Sequence, residues 1–327
     1  MLWRRCFPLT DPAAIARGQR LCREIAGRAN ANFLHAARLL PGFRQNYFFA
    51  TYAAMRVIDD RVDENFLTLT TEKRDAGRAG ARREIADWLN QSVSFGAAVG
   101  GSSGGPLHSD GVAALAYTAG RSDLGVWPWQ ALAEALLSDV EEREMRSWED
   151  FLDYCAGATV APAAIFIYLL AARYDPAGGY SYELPRAARD YAKDLAIYCY
   201  IVHILRDLAK DAGRSPRLIT IPTEILSAAG LTRAGLSAAL AVKSPAIGVL
   251  AGLLINKARP FKEAGHAALH EVGSHLGMVE RLALNGLIAV YDRLFESAGK
   301  DALAVALNGP AMEEVLRRDL LRPAGEG

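Results

Sequence analysis

Asp59 and Asp63 stand four residues apart at the end of a stretch that is otherwise apolar. At helical spacing, Phe48, Tyr52 and Met55 form one stripe, and the two aspartates continue it. Like charges at this spacing repel each other even on an exposed helix, and they do so more strongly when shielded from water. A bound divalent cation removes that repulsion, because hard cations such as Mg²⁺ combine carboxylates with the phosphates of a substrate. The stretch therefore predicts a metal-binding helix end.

A second pair, Asp207 and Asp211, repeats this spacing at the end of the apolar segment 186–211, on a face that also carries Tyr200 and His203. Two such helix ends predict carboxylates facing each other across a cavity that is apolar at depth. Metal ions at its mouth would bridge carboxylates and phosphate oxygens, and apolar or aromatic walls would hold a hydrocarbon and stabilise a carbocation. The alternative is a set of solvated charges paired with neighbouring arginines and lysines. The recurrence of the pair favours the cavity.

The elements that must position these residues are predicted to be helices. The chain has 327 residues, 51% of them hydrophobic, with abundant Ala and Leu and few β-branched residues. Over long windows this composition favours helices, and neither alternating strand patterns nor internal repeats occur. We predict one all-α domain over 1–327, with a flexible Gly/Ser-rich loop at about 90–111.

Proline, glycine and capping signals divide the chain into helical segments. The capping box Ser147-Trp-Glu-Asp150 opens a helix that contains Pro162, which is predicted to free the carbonyl of Ala158 and kink the helix. The apolar run 156–172 is shorter than the ~20 residues of a membrane-spanning helix, so a buried core helix is expected. The predicted helical segments are 11–40, 47–64, 71–89, 112–118, 128–145, 147–172, 186–211, 246–265 and 277–297, others beginning near 223 and 232, and a short one near the C-terminus.

Charge and cysteine content bound the partners and the location. The 37 basic and 37 acidic residues cancel, so bulk charge suggests neither nucleic acid nor an anionic membrane surface as a partner. Cys6, Cys22, Cys155 and Cys199 lack metal-ligand spacing and are interpreted as reduced thiols. Residues 1–8 hold no apolar stretch long enough for a signal peptide. A cytoplasmic enzyme is expected, either free or peripheral at the inner face of the membrane.

Several short motifs occur in a fixed order around the two aspartate pairs. They are Asn32-Phe33, Arg38-Leu-Leu-Pro41, Arg44, Tyr52-Ala53, Arg56-Val-Ile-Asp-Asp-Arg-Val-Asp63 and Ile204-Leu-Arg-Asp-Leu-Ala-Lys-Asp211. In sequence and spacing they resemble the squalene/phytoene synthase family, the head-to-head trans-prenyltransferases. The similarity extends more weakly through Tyr154-Cys155 and the C-terminal helices to about Gly299, so it covers most of the chain.

The resemblance implies a single-domain isoprenoid synthase fold, in which helices surround a central hydrophobic cavity. It also implies a Mg²⁺-dependent reaction of two prenyl diphosphates, with farnesyl diphosphate favoured, through a cyclopropylcarbinyl diphosphate to squalene, dehydrosqualene or a related product. Two or three Mg²⁺ ions are expected. The choice between C15 and C20 substrates, the use of NADPH and the oligomeric state stay open.

The same resemblance assigns roles to individual residues. Tyr154 falls at a tyrosine implicated in cation stabilisation or proton handling, although a core tyrosine is an equal alternative. His203 would donate to diphosphate if protonated, and a buried core histidine is its alternative. The implied metal ligands are Asp59, Asp60, Asp63, Asp207 and Asp211, and the implied substrate contacts are Arg56, Asn30, Asn32, Phe33, Tyr52, Tyr200, His203, Arg206 and Arg214.

The chain departs from the family pattern at positions that line the reacting centre. Asn30 and Asn32 replace serines, Tyr200 and His203 replace Gln and Asn, Lys210 replaces Glu, and the segments 156–162 and 220–222 differ. These departures keep two other interpretations open. One is a terpene synthase or an enzyme that forms presqualene diphosphate or hydroxysqualene. The other is a non-catalytic lipid-binding or assembly factor, against which the intact aspartate pairs argue, because buried carboxylates without metal are costly.

Overall fold

The computed structural model describes residues 11–29, 32–94 and 105–321, with side chains up to residue 318. Most of these residues are helical, which confirms the all-α prediction. The helices are α1 Pro12–Ala29, α2 Asn32–Ala37, α3 Gly42–Asp63, α4 Thr71–Ser94, α5 Ser109–Tyr117, α6 Trp127–Val140, α7 Trp148–Cys155, α8 Ala161–Ala171, α9 Ala188–Arg214, α10 Thr223–Ala228, α11 Leu236–Ala241, α12 Pro245–Gly273, α13 Met278–Lys300 and α14 Ala302–Leu321.

Helix α9 is the central element, as its apolar sequence predicts. It packs against α8, α12, α13 and α14, so almost every side of it is covered. Helix α12 approaches it closely at Gly265, where an added Cβ would lie 2.8 Å from the Cα of Leu195. Only glycine permits this approach. Because α9 is held along its length, its last turns carry Asp207 and Asp211 in a fixed position.

Helix α3 forms the wall opposite the end of α9. It buries Tyr47, Phe48, Ile58 and Val62 and packs against α1, α5, α6 and α8. The Trp88 indole N–H donates to the carbonyl of Ala54 at 2.7 Å, which ties α4 to the back of α3. This anchoring fixes the end of α3, where the first aspartate pair stands.

A π-helical turn joins α7 to α8 at Ala156–Val160. The predicted capping box is confirmed, since Ser147 Oγ accepts from the backbone N–H of Asp150 at 3.2 Å and the Asp150 carboxylate accepts from the N–H of Ser147 at 2.8 Å. Pro162 lies in the first turn of α8 and lacks an N–H, so the regular bonding pattern is interrupted there. The predicted kink at Pro162 takes the form of a π-helical turn, which holds one residue more than a regular α-helical turn.

The apolar segment containing this turn is the only described helix apolar and long enough to cross a membrane, by length and composition alone. The helical run Trp148–Ala171 has 24 residues and a hydropathy of 1.8, and 61% of its most apolar window is buried inside the protein. Its apolar side chains therefore face other helices, as the sequence prediction of a core helix requires.

Several predicted boundaries are wrong. Segment 11–40 is two helices, α1 and α2, and α6 ends at Val140 because Glu142 adopts a left-handed conformation with φ of 51°. Helix α4 continues to Ser94 and α5 begins at Ser109, so both ends of the predicted loop 90–111 are helical, and its centre at 95–104 lies outside the described residues. The segment between α8 and α9, where no strand is predicted, holds an antiparallel hairpin, β1 Arg173–Asp175 with β2 Gly179–Ser181, and α14 is 20 residues long rather than short.

Candidate active site

A cavity of about 600 Å³ lies between α3, α6, α8 and α9 and is lined by both aspartate pairs. This volume falls within the range of about 300–1,000 Å³ that is common for ligand pockets. Apolar and aromatic side chains, among them Phe48, Phe166, Leu284 and Ile288, form much of its wall. The predicted site residues that line it are Asn32, Phe33, Tyr52, Arg56, Asp59, Asp63, Tyr154, Tyr200, His203, Arg206, Asp207, Asp211 and Arg214.

The first aspartate pair is poor in compensating positive charge. Arg56 donates to Asp59 Oδ2 at 3.1 Å and also contacts Asp60, so one guanidinium serves two carboxylates. Burial raises the pKa of Asp59 to about 6. The pKa of Asp63 lies well above its usual value because of burial and the nearby charges of Asp59 and Asp139. Ionised carboxylates in this position need a cation.

The second pair is divided between two environments. Asp207 is 4% exposed and accepts from Arg206 Nε at 2.7 Å and Nη2 at 3.0 Å, with Lys210 Nζ at 3.3 Å. Burial alone would raise the pKa of Asp207, but the hydrogen bond from Arg206 and the surrounding positive charges hold it below its usual range. Burial and the charge of Asp207 instead raise the pKa of Asp211 to about 6.

The two helix ends face each other, as the sequence predicts. The charge of Asp211 on α9 contributes to the raised pKa of Asp63 on α3, so the two carboxylates are electrostatically coupled. Below them, Arg214 Nη2 lies 3.6 Å from Glu64 Oε1, and Ser215 Oγ donates to the carbonyl of Leu67 at 2.9 Å. These contacts hold the ends of α3 and α9 at the mouth of one cavity.

Asp139 on α6 is a site residue that the sequence reasoning missed. It lines the cavity, accepts a hydrogen bond from the Tyr154 hydroxyl at 2.9 Å, and has a pKa raised to about 7 by burial. Burial and the charge of Asp139 likewise raise the pKa of Tyr154 well above its usual value. The sequence signal for Asp139 is an apolar stripe that ends in a carboxylate, the same pattern that identified Asp59 and Asp63. On α6 this stripe consists of Leu132, Leu136 and Asp139.

Tyr200 and His203 line the cavity as predicted, but His203 is not a cation. The Tyr200 hydroxyl lies 3.2 Å from Thr220 Oγ1, and its ring stacks on Phe151 with centroids 6.0 Å apart. Burial and the charge of Arg206 lower the pKa of His203 to about 3. The imidazole is therefore neutral at pH 7, and Nδ1 accepts from Arg206 Nη2 at 2.9 Å. The lowered pKa favours the alternative left open for His203, a neutral histidine, over a protonated donor to diphosphate.

Glu313 on α14 is the second residue that the sequence reasoning missed. Its Oε1 accepts from Asn32 Nδ2 at 2.6 Å and from Arg206 Nη1 at 2.6 Å. Both donors belong to the predicted substrate contacts, so those groups are occupied by a carboxylate of the chain itself. No sequence signal marks Glu313, because Glu313-Glu314 on an amphipathic C-terminal helix is typical of a solvated face.

The remaining predicted residues take different positions. Phe33 packs edge-on against Phe166 with ring centroids 5.0 Å apart, and Tyr52 stacks on Phe48 at 5.3 Å. Asp60 pairs with Arg56 and is not among the residues that line the cavity, so its metal role stays a prediction. Asn30 lies outside the described residues.

The donor chemistry at the cavity mouth fits Mg²⁺. Asp59, Asp63 and Asp211 offer oxygen ligands only, and their raised pKa values reflect a shortage of positive charge. Within the described residues, no group of three or more His, Cys, Asp or Glu side chains is already gathered around a single point. Mg²⁺ keeps several waters and is commonly held by one or two carboxylates together with substrate phosphates, so an open arrangement of this kind suits it.

Comparison with known proteins agrees with this geometry. The squalene/phytoene synthase family model matches residues 26–305. The phytoene synthase of Cereibacter sphaeroides is 29% identical over 211 residues, which cover 64% of this chain and 53% of that protein. The phytoene synthase of Rhodobacter capsulatus is 28% identical over 211 residues, covering 64% of this chain and 54% of that protein. The match thus spans about half the length of these curated relatives.

Two solved structures share the fold. The squalene synthase HpnC from Alicyclobacillus acidocaldarius superimposes with a TM-score of 0.61 at 16% identity, covering 90% of this chain and 97% of that one. A dehydrosqualene synthase in complex with a ligand gives a TM-score of 0.63 at 17% identity, covering 94% and 96%. The family match over most of the chain, together with the fold, establishes that the chain belongs to the squalene/phytoene synthase family.

Proposed function

We propose that this protein is a Mg²⁺-dependent prenyltransferase of isoprenoid biosynthesis that joins two prenyl diphosphates head to head. The observation that carries the proposal is one cavity of about 600 Å³ with apolar walls and the coupled carboxylates of α3 and α9 at its mouth. A substrate with a hydrocarbon chain and a diphosphate head needs this combination. Family membership supports the same reaction class.

Asp59, Asp63 and Asp211 would hold the metal. When bound, Mg²⁺ supplies positive charge that stabilises the departing diphosphate. Arg56 lies beside Asp59 at the same mouth, where its planar guanidinium can donate two parallel hydrogen bonds to phosphate oxygens. The aspartates and Arg56 would therefore orient the head group so that the allylic carbon points into the apolar part of the cavity.

Deeper groups would act on the hydrocarbon. Aromatic faces such as those of Phe48, Tyr52 and Phe166 line the cavity, and aromatic faces attract positive charge. Attack by the alkene of the second substrate on the allylic cation, followed by loss of a proton, gives the cyclopropylcarbinyl product. The hydrogen-bonded pair Tyr154 and Asp139 is a local acceptor for such a proton, because an ionised Asp139 can take one directly or through the hydroxyl.

A second outcome of the same ionisation is favoured by one observation. The hydroxyls of Tyr200 and Thr220 lie 3.2 Å apart on the cavity wall, where the family pattern has other residues. A hydroxyl pair facing an apolar cavity can hold a water molecule near a carbocation. Capture of the cation by that water would give an alcohol, such as hydroxysqualene, in place of a hydrocarbon.

Product analysis tests the proposal. Purified protein is incubated with farnesyl diphosphate and Mg²⁺, and the extracted products are identified by mass spectrometry, with parallel reactions containing geranylgeranyl diphosphate, EDTA or NADPH. We expect a C30 product that requires the metal. Diphosphate release without a C30 product would instead indicate a terpene synthase.

A complete lack of turnover with both substrates would contradict the proposal and favour the non-catalytic lipid-binding interpretation. Asp59→Asn is the matched control, since it removes a predicted ligand while keeping the side-chain shape.

A cytoplasmic or peripheral membrane location stays a prediction that fractionation of cells tests. Size-exclusion chromatography with light scattering gives the oligomeric state.

A further inference from the structure

Glu313 stands in a corner of the cavity that is built to bind an anion. Its carboxylate receives two hydrogen bonds of 2.6 Å, one from the amide of Asn32 and one from the guanidinium of Arg206. The Glu313 and Arg206 side chains are only 12% and 11% exposed. This is a sheltered, charge-assisted contact rather than a solvated surface pair, and contacts of this kind are the stronger ones.

The path of α14 forces Glu313 into that corner. Asn308 leaves helical geometry with a φ of −131°, and Pro310 follows it, so the helix changes direction there. At Gly309 the helix presses on the backbone of α9, since an added Cβ would lie 2.3 Å from the Arg206 carbonyl oxygen. The turn after this contact directs Glu313 toward the guanidinium of the same arginine.

Arg206 is shared between two carboxylates. Its Nε and Nη2 form a two-point contact with Asp207, and Nη1 is left for Glu313. These three groups carry one net negative charge, which Lys210, 3.3 Å from Asp207, balances. Within the described residues, Asn32 Oδ1 is buried without a hydrogen-bond partner. The corner therefore offers two converging N–H donors, Asn32 Nδ2 and Arg206 Nη1, in a position that suits a phosphate oxygen. The Glu313 carboxylate accepts from both.

We propose that Glu313 is a specificity-determining residue that occupies this corner and excludes an anionic head group from it. The proposal rests on the proposed function only in naming diphosphate as the anion. A diphosphate entering here must displace the carboxylate from both donors and overcome its charge. The head group is thereby directed to the aspartate mouth, and a second head group has no matching site beside Arg206. Residue 313 lies beyond the family-matched residues 26–305.

Calorimetric titration with inorganic pyrophosphate at a fixed Mg²⁺ concentration tests this role without turnover. Three full-length proteins are compared, the wild type, Glu313→Gln and Glu314→Gln. Glu314 is the matched control, because it neighbours Glu313 on α14 but pairs with Arg318 at the surface and is 53% exposed. We expect Glu313→Gln to bind pyrophosphate about tenfold more tightly or at one additional site, as removal of a competing charge predicts, and Glu314→Gln to match the wild type.

A double variant, Asn32→Ala with Glu313→Gln, should lose the gained binding, because the amide donor is removed. Glu313→Ala serves as a second variant, and circular dichroism verifies folding of each protein. Unchanged or weaker pyrophosphate binding in folded Glu313→Gln and Glu313→Ala would overturn the proposal, and so would an equal gain in Glu314→Gln. Failure of the wild type to convert prenyl diphosphates would contradict the proposed function. The titration would still be interpretable, because it measures pyrophosphate binding without turnover.

Discussion

Asp59 on α3 and Asp207 on α9 hold equivalent positions in two pairs of identical spacing, but their charge environments are opposite. Burial raises the pKa of Asp59 to about 6, whereas hydrogen bonding from Arg206 keeps the pKa of Asp207 below its usual range. Asp59 shares one arginine with Asp60, whereas Asp207 receives two cations, Lys210 and the Arg206 that also contacts Glu313. The spacing determines where a carboxylate points, and its basic neighbours determine whether it needs a metal.

This difference separates a functional carboxylate from one that also holds the fold. A buried carboxylate with too little compensating positive charge raises the free energy of the folded protein, and a bound cation would lower it. A carboxylate inside a buried ion pair is costly to remove, because the arginine is left without its partner. Asp59 is of the first kind and Asp207 of the second. Asp63 and Asp211 resemble Asp59, since burial raises the pKa of both.

Asp59→Asn should show the largest loss of activity. The variant keeps the shape of the side chain but removes a proposed metal ligand, and a metal ion contributes several kcal/mol to stabilising a departing charge. Turnover of farnesyl diphosphate should fall about a thousandfold. The thermal unfolding midpoint should stay at or above that of the wild type, because a destabilising charge is lost. An Asp59→Asn protein that retains full activity would remove this residue from the metal site.

Asp207→Asn should lower activity and, unlike Asp59→Asn, also stability. Loss of the carboxylate leaves Arg206 with Glu313 alone, so the free energy of unfolding should fall by about 3 kcal/mol, near the low end for a broken buried ion pair. Urea denaturation of the two variants side by side measures the contrast. Equal stabilities would contradict the distinction drawn between the two pairs.

The smallest expected effect is on the pH dependence of stability. Asp59 and Asp211 have a pKa raised to about 6 and Asp139 to about 7, compared with about 3.9 for an unfolded aspartate. The folded state therefore binds these protons more tightly, and their stabilising contribution is present at low pH and lost as the pH rises from about 4 to 7. In EDTA, the unfolding midpoint of Asp139→Asn should rise relative to the wild type between pH 5 and pH 8.

Mg²⁺ with pyrophosphate should reduce that difference, because a cation held by Asp59 and Asp63 would cancel the charge of Asp59 that contributes to the raised pKa of Asp139. Glu314→Gln is the surface control and should follow the wild type throughout. A constant difference between Asp139→Asn and the wild type from pH 5 to pH 8 would show that Asp139 does not titrate in this interval.

The sequence was sufficient to predict the fold and the facing carboxylates for a physical reason. Apolar periodicity determines which side of a helix is buried, so an aspartate on that side must point into the interior. Asp59, Asp63, Asp207 and Asp211 follow this rule, and all four line the cavity. Asp139 obeys it as well, because it ends the apolar stripe of Leu132 and Leu136 on α6. That residue was predictable.

Other features were not predictable, because they depend on contacts between distant segments. Glu313 enters the site only because α14 bends at Asn308 and presses on α9. The neutral state of His203 depends on its burial and on the charge of Arg206. Asp60 looked equivalent to Asp59 in the motif, but one residue rotates a helical side chain by about 100°, which turns it off the cavity lining.

The π turn at Ala156–Val160 makes the wall between Tyr154 and Pro162 one residue longer than a regular helix would be. Each residue of a helix rotates the side-chain direction by about 100° around the axis. The one extra residue therefore rotates the face that carries Tyr154 by about 100° relative to the face that carries Ala163, compared with a continuous α-helix. Gly157 fits against the Ala131 carbonyl only without a side chain. Deleting one residue of this turn should rotate Tyr154 away from Asp139 without moving the two aspartate pairs, so the length of this turn determines which side chains line the deeper part of the cavity.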